Sequence, residues 1–275
     1  VASTRKTLAM SGARAAQGFW PALDVQSKVI GALIMRELHT RFGRDNIGYL
    51  WVIVEPMLLA LTVTSMHMGT IGHTEFGMDP APFWITGYTS FVMFRSIVLR
   101  AESALEANRS LLYHRVVTIA DMLIARCLLE GAGTTLAMFI LLAGCAMMGL
   151  GTLPQRPLLL LEGLSLLLWF SFAMSLLVCA GCEVSPLIAR FTHPVVYVML
   201  PLSGVFFLLA WVPDPYRTWL TWFPMVDMFE MIREGQFSVY DSQYLDMPYT
   251  IGWCLVMTLG GLAAVSAVRR RLHLE

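Results

Sequence analysis

Long apolar runs alternate with short polar stretches along the chain, and the length of each run limits what it can become. Between residues 23 and 44, Val25, Val29, Ile30, Leu33, Ile34 and Leu38 recur at helical spacing, with Lys28 and Arg36 between them. This predicts an amphipathic helix over about 23–45, too polar to span a bilayer, either lying flat on the membrane surface or docked on protein. The stretch RELHTRFGRDNIGYLWVIVEP that starts at Arg36 is basic at first, turns aromatic at Tyr49 and Trp51, and opens into an apolar run. Such a junction marks a cytoplasmic membrane surface, an interfacial belt and the start of a span, with the N-terminus inside.

Runs long enough for helical spans are expected at 49–69, 83–99, 123–148, 158–181, 194–211 and 251–268. Pro194 is expected to open the fifth, with Pro201 and Gly204 bending it. The polar segment 100–130 carries Arg100, Arg109, Arg115 and Arg126 and is placed inside. At its centre, Leu111, Leu112 and Tyr113 are flanked by charge, which reads as a short helix with an apolar knob for docking. Segment 213–250 is acidic yet aromatic and is placed outside, its 219–229 portion reading as a re-entrant or surface-lying hairpin. Six spans leave both termini in the cytoplasm. Of 19 Lys and Arg residues, only Arg156, Arg217 and Arg233 fall in external loops, in line with the positive-inside rule. The expected fold is an all-α membrane protein, with a cytoplasmic tail over 1–22 and one transmembrane domain over 23–275.

Composition agrees. The chain is 57% hydrophobic and 14% charged, with a mean hydropathy of +0.65, whereas a soluble domain carries about 25% charge. The zero net charge hides basic ends and one acidic late loop. Five cysteines lie in or beside apolar runs; Cys179 and Cys182 have redox or metal spacing, but no second Cys/His pair exists, so small buried residues fit better. Residues 1–20 lack a sustained apolar core, and no signal peptide is expected.

Enzyme motifs fail one by one. There is no phosphate-binding GxxxxGK[ST] loop and no HExxH, and Glu37-Leu38-His39 lacks a second histidine at metal spacing. No catalytic residue, metal or cofactor is expected on this chain, nor a nucleic-acid partner. What remains are the charges Glu55, Arg95, Arg126, Glu130 and Glu162 in or near the spans. Each would cost ~2.5–3.5 kcal/mol at a helix centre, so they either pair, snorkel to the headgroups or line a polar path. Aromatics such as Trp51, Phe94, Trp169, Tyr197, Phe206 and Phe207 stud the spans. They serve either as belts and packing or as a stacking path along which sugar rings slide. No internal repeat is visible and the carboxylates lie toward span ends, which argues against an ion-coupled secondary transporter. Scattered external carboxylates argue against a membrane glycosyltransferase.

Arg36-Glu37-Leu38, Thr40-Arg41-Phe42-Gly43-Arg44, Gly48-Tyr49-Leu50-Trp51 and Glu55-Pro56 resemble the opening of ABC-2 type permeases that export bacterial polysaccharides, and capsule exporters in particular. Asn108, Leu111-Leu112-Tyr113, Val116 and Asp121 resemble that family's cytoplasmic loop. Pro201-Leu202-Ser203-Gly204-Val205-Phe206-Phe207, Pro224-Met225, Glu230, Arg233 and Glu234-Gly235 resemble its fifth span and the segment beyond. The resemblance runs from about Lys28 to Arg271. It implies a homodimer in the bacterial inner membrane, docked on two separate ATP-binding subunits that hold ATP and Mg. Asn108, Leu111, Leu112, Tyr113 and Arg115 would form the coupling helix. Lys28, Arg36, Arg41 and Arg44 would meet the phosphate or carboxylates of a lipid-linked acidic polysaccharide, since Arg pairs bidentately with such groups. The aromatics named above would line a canal between the two copies, with Glu55, Arg95, Arg126 and Glu130 as intramembrane charges. Periplasmic adaptor or co-polymerase and outer-membrane export proteins are implied as further partners. O-antigen or teichoic-acid-type polymers are the alternative cargo.

Overall fold

The computed structural model describes residues 19–42, 50–68, 77–106 and 117–272. Among them the chain is helical, with no strand. The helices are α1 (Phe19–Phe42), α2 (Trp51–His67), α3 (Pro80–Ala101), α4 (Ile119–Met147), α5 (Pro157–Val184), α6 (Pro186–Leu202), α7 (Tyr216–Leu220), α8 (Pro224–Gln236) and α9 (Met247–Leu272).

Contacts between helix ends give the topology. His67, ending α2, stacks on Trp84 near the start of α3 with ring centroids 4.2 Å apart. Arg100, near the end of α3, reaches Glu130 in the first half of α4 at 3.1 Å. Arg156, just before α5, meets Glu234 of α8 at 3.0 Å, and the end of α5 clusters through Cys179 and Ala180 with Leu105 and Val265. Helices α2 to α6 and α9 therefore alternate in direction between two ends. One end carries α1 and most of the arginines; the other carries α8.

Helices α4, α5 and α9 are long and apolar enough to cross a membrane, and α2 and α6 are shorter apolar helices. Helix α3 has the length, 22 residues, but not the hydrophobicity. It lies in the middle of the bundle, touching α2, α4, α5, α6 and α8, so protein rather than lipid surrounds it. Two of its buried hydroxyls settle their hydrogen bonds within the helix, Thr86 donating to the Pro82 carbonyl at 2.8 Å and Thr89 to that of Ile85 at 2.5 Å.

The starts of the helices follow local chemistry. Thr118 and Asp121 close a reciprocal capping box at the start of α4. Pro157 and Pro186 occupy first-turn positions, where a missing N–H costs nothing. The fifth apolar run departs from expectation at both ends. Its helix begins at Pro186, because Ser185 caps it by accepting the Leu187 N–H at 3.3 Å. Pro194 sits inside the helix instead of opening it. Helix α6 stops at Leu202, and Gly204 then takes φ +88°, a backbone conformation that glycine alone adopts without strain. Residues 203–212 continue as buried and half-buried irregular chain with one 3-10 turn, Leu209–Trp211. The segment expected to form an external hairpin is helical, with α7 and α8 joined by a short link. Helix α8 packs on α5, α3 and α9 and is buried along nearly its whole length.

Candidate functional site

Two groups of charged residues stand out, one at each end of the bundle. At the arginine-rich end, α1 is fastened to α4. Leu33 is buried there, with Val29, Ile30 and Ile34 packed beside it. Glu37 of α1 pairs with Arg126 of α4, Oε1 to Nε 3.0 Å, with side chains only 17% and 12% exposed. Gln26 donates to Asp121, whose other oxygen completes the α4 cap. Arg126 also donates to the Arg100 carbonyl at 2.8 Å, covering an acceptor that the end of α3 leaves open. Arg100 in turn pairs with buried Glu130. Docking leaves Leu23, Val25 and Met35 of α1 exposed.

Beside this ladder, Glu55, Arg95, Ser96, Arg100, Glu130 and Thr134 line a cleft of about 30 Å³. That volume holds one or two water molecules and no sugar. The Arg95 guanidinium lies 5.9 Å from the centre of the Tyr197 ring.

At the opposite end, charged side chains of α8 hold irregular backbone. Arg233 is fully buried. Its Nη2 donates to the carbonyls of Gly204 at 2.9 Å and Val205 at 2.5 Å, and its guanidinium stacks 3.6 Å from the centre of the Phe83 ring. Glycine at 87 makes this possible: a Cβ there would fall 2.9 Å from the Val205 oxygen and 3.0 Å from Arg233 Nη2. Glu230 accepts the Leu209 N–H at 3.0 Å, the Ser242 hydroxyl at 2.9 Å and the Tyr240 phenol. Burial lowers the Arg233 pKa to about 9, with Glu230 opposing the shift, so the guanidinium stays charged at neutral pH. Burial likewise pushes Asp227 up to about 6, against the hydrogen bond from Thr250.

The structure sorts the sequence candidates. Lys28 is exposed and pairs with Asp24 one turn away at 2.6 Å. Arg36 is half-buried on α1. Arg41 belongs to α1 by backbone alone, while Arg44, Asn108, Leu111, Leu112, Tyr113 and Arg115 lie outside the described residues. Of the charges expected within the membrane, Arg126 and Glu130 are paired; Glu55 and Arg95 face the small cleft. Glu162 is exposed near the start of α5.

The aromatic candidates do not form one surface. Phe94, expected along a canal, is 0% exposed, packed between Phe91 and Phe170 in the core of the chain. Trp169 donates to the Thr258 hydroxyl at 3.0 Å, half-buried between α5 and α9. Phe206 joins His67 and Trp84 near the α8 end, with Phe207 half-buried beside it. Trp51 and Tyr197 are each 51% exposed. The sequence named Glu37 and Arg100 without marking them as the partners that complete the ladder, and it gave no sign of Gly87. Glu230 entered only through resemblance, and Arg233 otherwise only as a loop charge. Their burial left no sign in the sequence, because Asp227, Glu230 and Glu234 recur at helical spacing on one face, as they would on a helix facing water.

Comparison with known proteins places this arrangement. Residues 28–237 match the ABC-2 type transporter family. The chain is 35% identical over 248 residues to the capsule polysaccharide export inner-membrane protein CtrC of Neisseria meningitidis serogroup B, covering 90% of this chain and 94% of the relative. It is 33% identical to the corresponding protein BexB of Haemophilus influenzae, covering 90% of this chain and 93% of that one. It is 30% identical to the polysialic acid transport protein KpsM of Escherichia coli, covering 87% and 93%. The chain belongs to the ABC-2 type transporter family, within its capsule polysaccharide export permeases.

Proposed function

We propose that this chain is the permease subunit of an ATP-driven exporter that carries capsular polysaccharide from the cytoplasm across the inner membrane. Helices α2 to α6 and α9 are read as six spans with both termini in the cytoplasm, and two copies pair around the export path. ATP is hydrolysed on separate subunits that dock at the loop holding Leu111, Leu112 and Tyr113. The polymer, acidic and still attached to lipid, is met by the basic face of α1 and leaves at the α8 end. Aromatic side chains, with Trp51, Tyr197 and Phe207 the exposed or half-buried candidates, give the sugar rings a surface to slide along.

The observation that carries this reading is the attachment of α1. A helix that only anchored the chain at the lipid surface would need no buried Glu37–Arg126 pair. Fastened to α4, and through Arg126 to the end of α3, α1 can pass a force to the helices of the bundle. Transport then requires that substrate and ATP bind two states of this assembly unequally.

The test is ATPase activity in lipid, for this chain alone and with its ATP-binding subunit. Activity is expected only in the complex, altered by lipid-linked acidic polysaccharide. Alanine at Leu111, Leu112 and Tyr113 together is expected to leave hydrolysis but abolish export. If the chain moves solute down an ion gradient without an ATPase, the reading fails.

A further inference from the structure

The α8 end holds a pocket that the charge network above does not use. About 380 Å³ in volume, it is lined by Thr221, Trp222, Asp227, Tyr244, Asp246 and Tyr249. That lies within the roughly 300–1,000 Å³ range of small-molecule sites.

Its walls are fixed in advance. The Tyr249 hydroxyl donates to the Trp222 carbonyl at 2.7 Å, and its ring meets Trp253 edge-on. Arg217 donates to the Tyr244 hydroxyl at 2.6 Å and to the carbonyls of Leu209 and Val212, so this cation is already engaged. The Asp246 carboxylate accepts the Tyr249 N–H at 3.1 Å.

Asp227 is only 3% exposed, and its Oδ2 accepts the Thr250 hydroxyl at 3.0 Å. Its Oδ1 is buried with no hydrogen-bond partner. An unmet buried carboxylate oxygen is costly and calls for a donor. The pocket thus offers flat aromatic faces and acceptors. A ligand carrying hydroxyl donors and an apolar ring face answers both. A sugar bearing a carboxylate would meet two aspartates of its own sign.

We propose that this pocket binds uncharged pyranose units of the exported polysaccharide, with their hydroxyls donating to Asp227 and Asp246 and their C–H faces stacked on Trp222 and Tyr249. The proposal rests on the export reading and adds a sugar-unit preference at the exit side. Anionic units pass without engaging it.

The experiment uses the permease with its ATP-binding subunit in lipid nanodiscs and saturation-transfer NMR. Two tetrasaccharides serve as probes: neutral chitotetraose and anionic α2,8-linked sialic acid. Chitotetraose is expected to bind. Trp222→Ala, at a side chain 72% exposed and so free of the fold, is expected to weaken binding about tenfold, or roughly 1.4 kcal/mol. Asp227→Asn, which loses an acceptor, is expected to weaken it about fivefold. The proposal is overturned if chitotetraose fails to bind, if Trp222→Ala leaves binding unchanged, or if the sialic acid probe binds as well. ATP-driven export is measured on the same wild-type complex. Export without pocket binding removes the site and keeps the transporter; no ATP-driven export removes the transporter reading itself.

Discussion

Arg126 and Arg233 are both arginines buried in a helical bundle, yet they answer different needs. At the α1 end the neighbouring backbone is regular helix, and its amides and carbonyls are almost all used. Arg126 and Arg100 therefore find carboxylates, Glu37 and Glu130, and only one loose carbonyl at the end of α3. At the α8 end the helix has broken. Arg233 and Glu230 serve the backbone itself, two carbonyls and one amide of residues 204–209. Irregular chain at such depth persists only where protein satisfies it. A charge pair between helices can be loosened and re-formed in a cycle. A charge that replaces missing backbone hydrogen bonds cannot be withdrawn without unfolding the segment it holds. On the proposed export reading, the first end is the one that moves and the second the one that stays.

The sharpest break in this contrast is Arg233→Met. It leaves the Gly204 and Val205 carbonyls unmet and Glu230 without its compensating charge. Removing one member of such a buried set costs about 3–5 kcal/mol, enough to lose most folded protein. Thermal unfolding of the purified complex is the check, and Arg233→Lys should recover only part of the loss because its ammonium lacks the flat face stacked on Phe83. A methionine variant within about 1 kcal/mol of wild type would mean that the break does not need its clamp.

The α1 end should respond less and more locally. Glu37→Gln and Arg126→Gln each leave a partly buried partner unpaired, and their coupling in a double-mutant cycle is expected at about 1–3 kcal/mol. Hydrogen exchange should quicken in α1 and the first turns of α4, with α8 unchanged. Equal effects on both ends would erase the distinction between them.

Much of this arrangement was legible in the residues, and the limits have physical causes. Apolar run length located α2 to α5 and α9, because desolvation acts on each run by itself, whereas α7 and α8 lie in a segment too polar for that signal. Helix α1 was visible in its 3.6-residue period, with docking on protein left as one of two readings. The fifth run was misplaced because two prolines competed to open it. Ser185 before Pro186 is the stronger start, since it supplies the cap that Pro194 lacks. The central place of α3 was hidden for a simpler reason: a helix surrounded by protein need not look more apolar than one facing lipid. Neither Arg233 nor Arg126 could be paired by reading alone. Their partners lie far along the chain, and Arg233 binds backbone, which leaves no mark in side-chain identity. The split of the aromatic candidates into the core residue Phe94 and the exposed Trp51 and Tyr197 depends on rotation of helices that carry apolar residues on every side.

Within the α8 end, Asp227 offers a pH test of smaller size. Burial raises its carboxyl from an ordinary value near 3.8 to about 6, so the folded state holds a proton that the unfolded chain has released across that window. Its contribution to stability is therefore greatest below about pH 4, falls as pH rises through 6, and is level above. The hydrogen bond from Thr250 opposes the shift, and Asp246 and Glu230 are the nearby charges that add to it. A change of about 1–2 kcal/mol, discounted for solvent in the adjoining pocket, should appear as greater protection of α8 amides, relative to their intrinsic exchange rates, at pH 5 than at pH 7.5. Asp227→Asn should flatten that dependence. An unchanged slope would place the titration elsewhere, and the α1 end should show no such slope in either protein.

The smallest stability effect is expected at Lys28, and that is what makes it informative. Its pair with Asp24 is exposed on both sides, 74% and 60%, within a single helix. Such pairs contribute about 0–0.5 kcal/mol, so Lys28→Ala should leave unfolding and hydrogen exchange alone. If the basic face of α1 meets an anionic substrate, export should still fall, and high salt should weaken export by the wild type more than by the variant. Glu37→Gln should act differently, lowering export together with the protection of α1. A Lys28 variant that exports normally at every salt concentration would leave α1 as a mechanical link without a role in recognising substrate. The difference between the two substitutions separates a helix that touches the polymer from one that only pulls on the bundle.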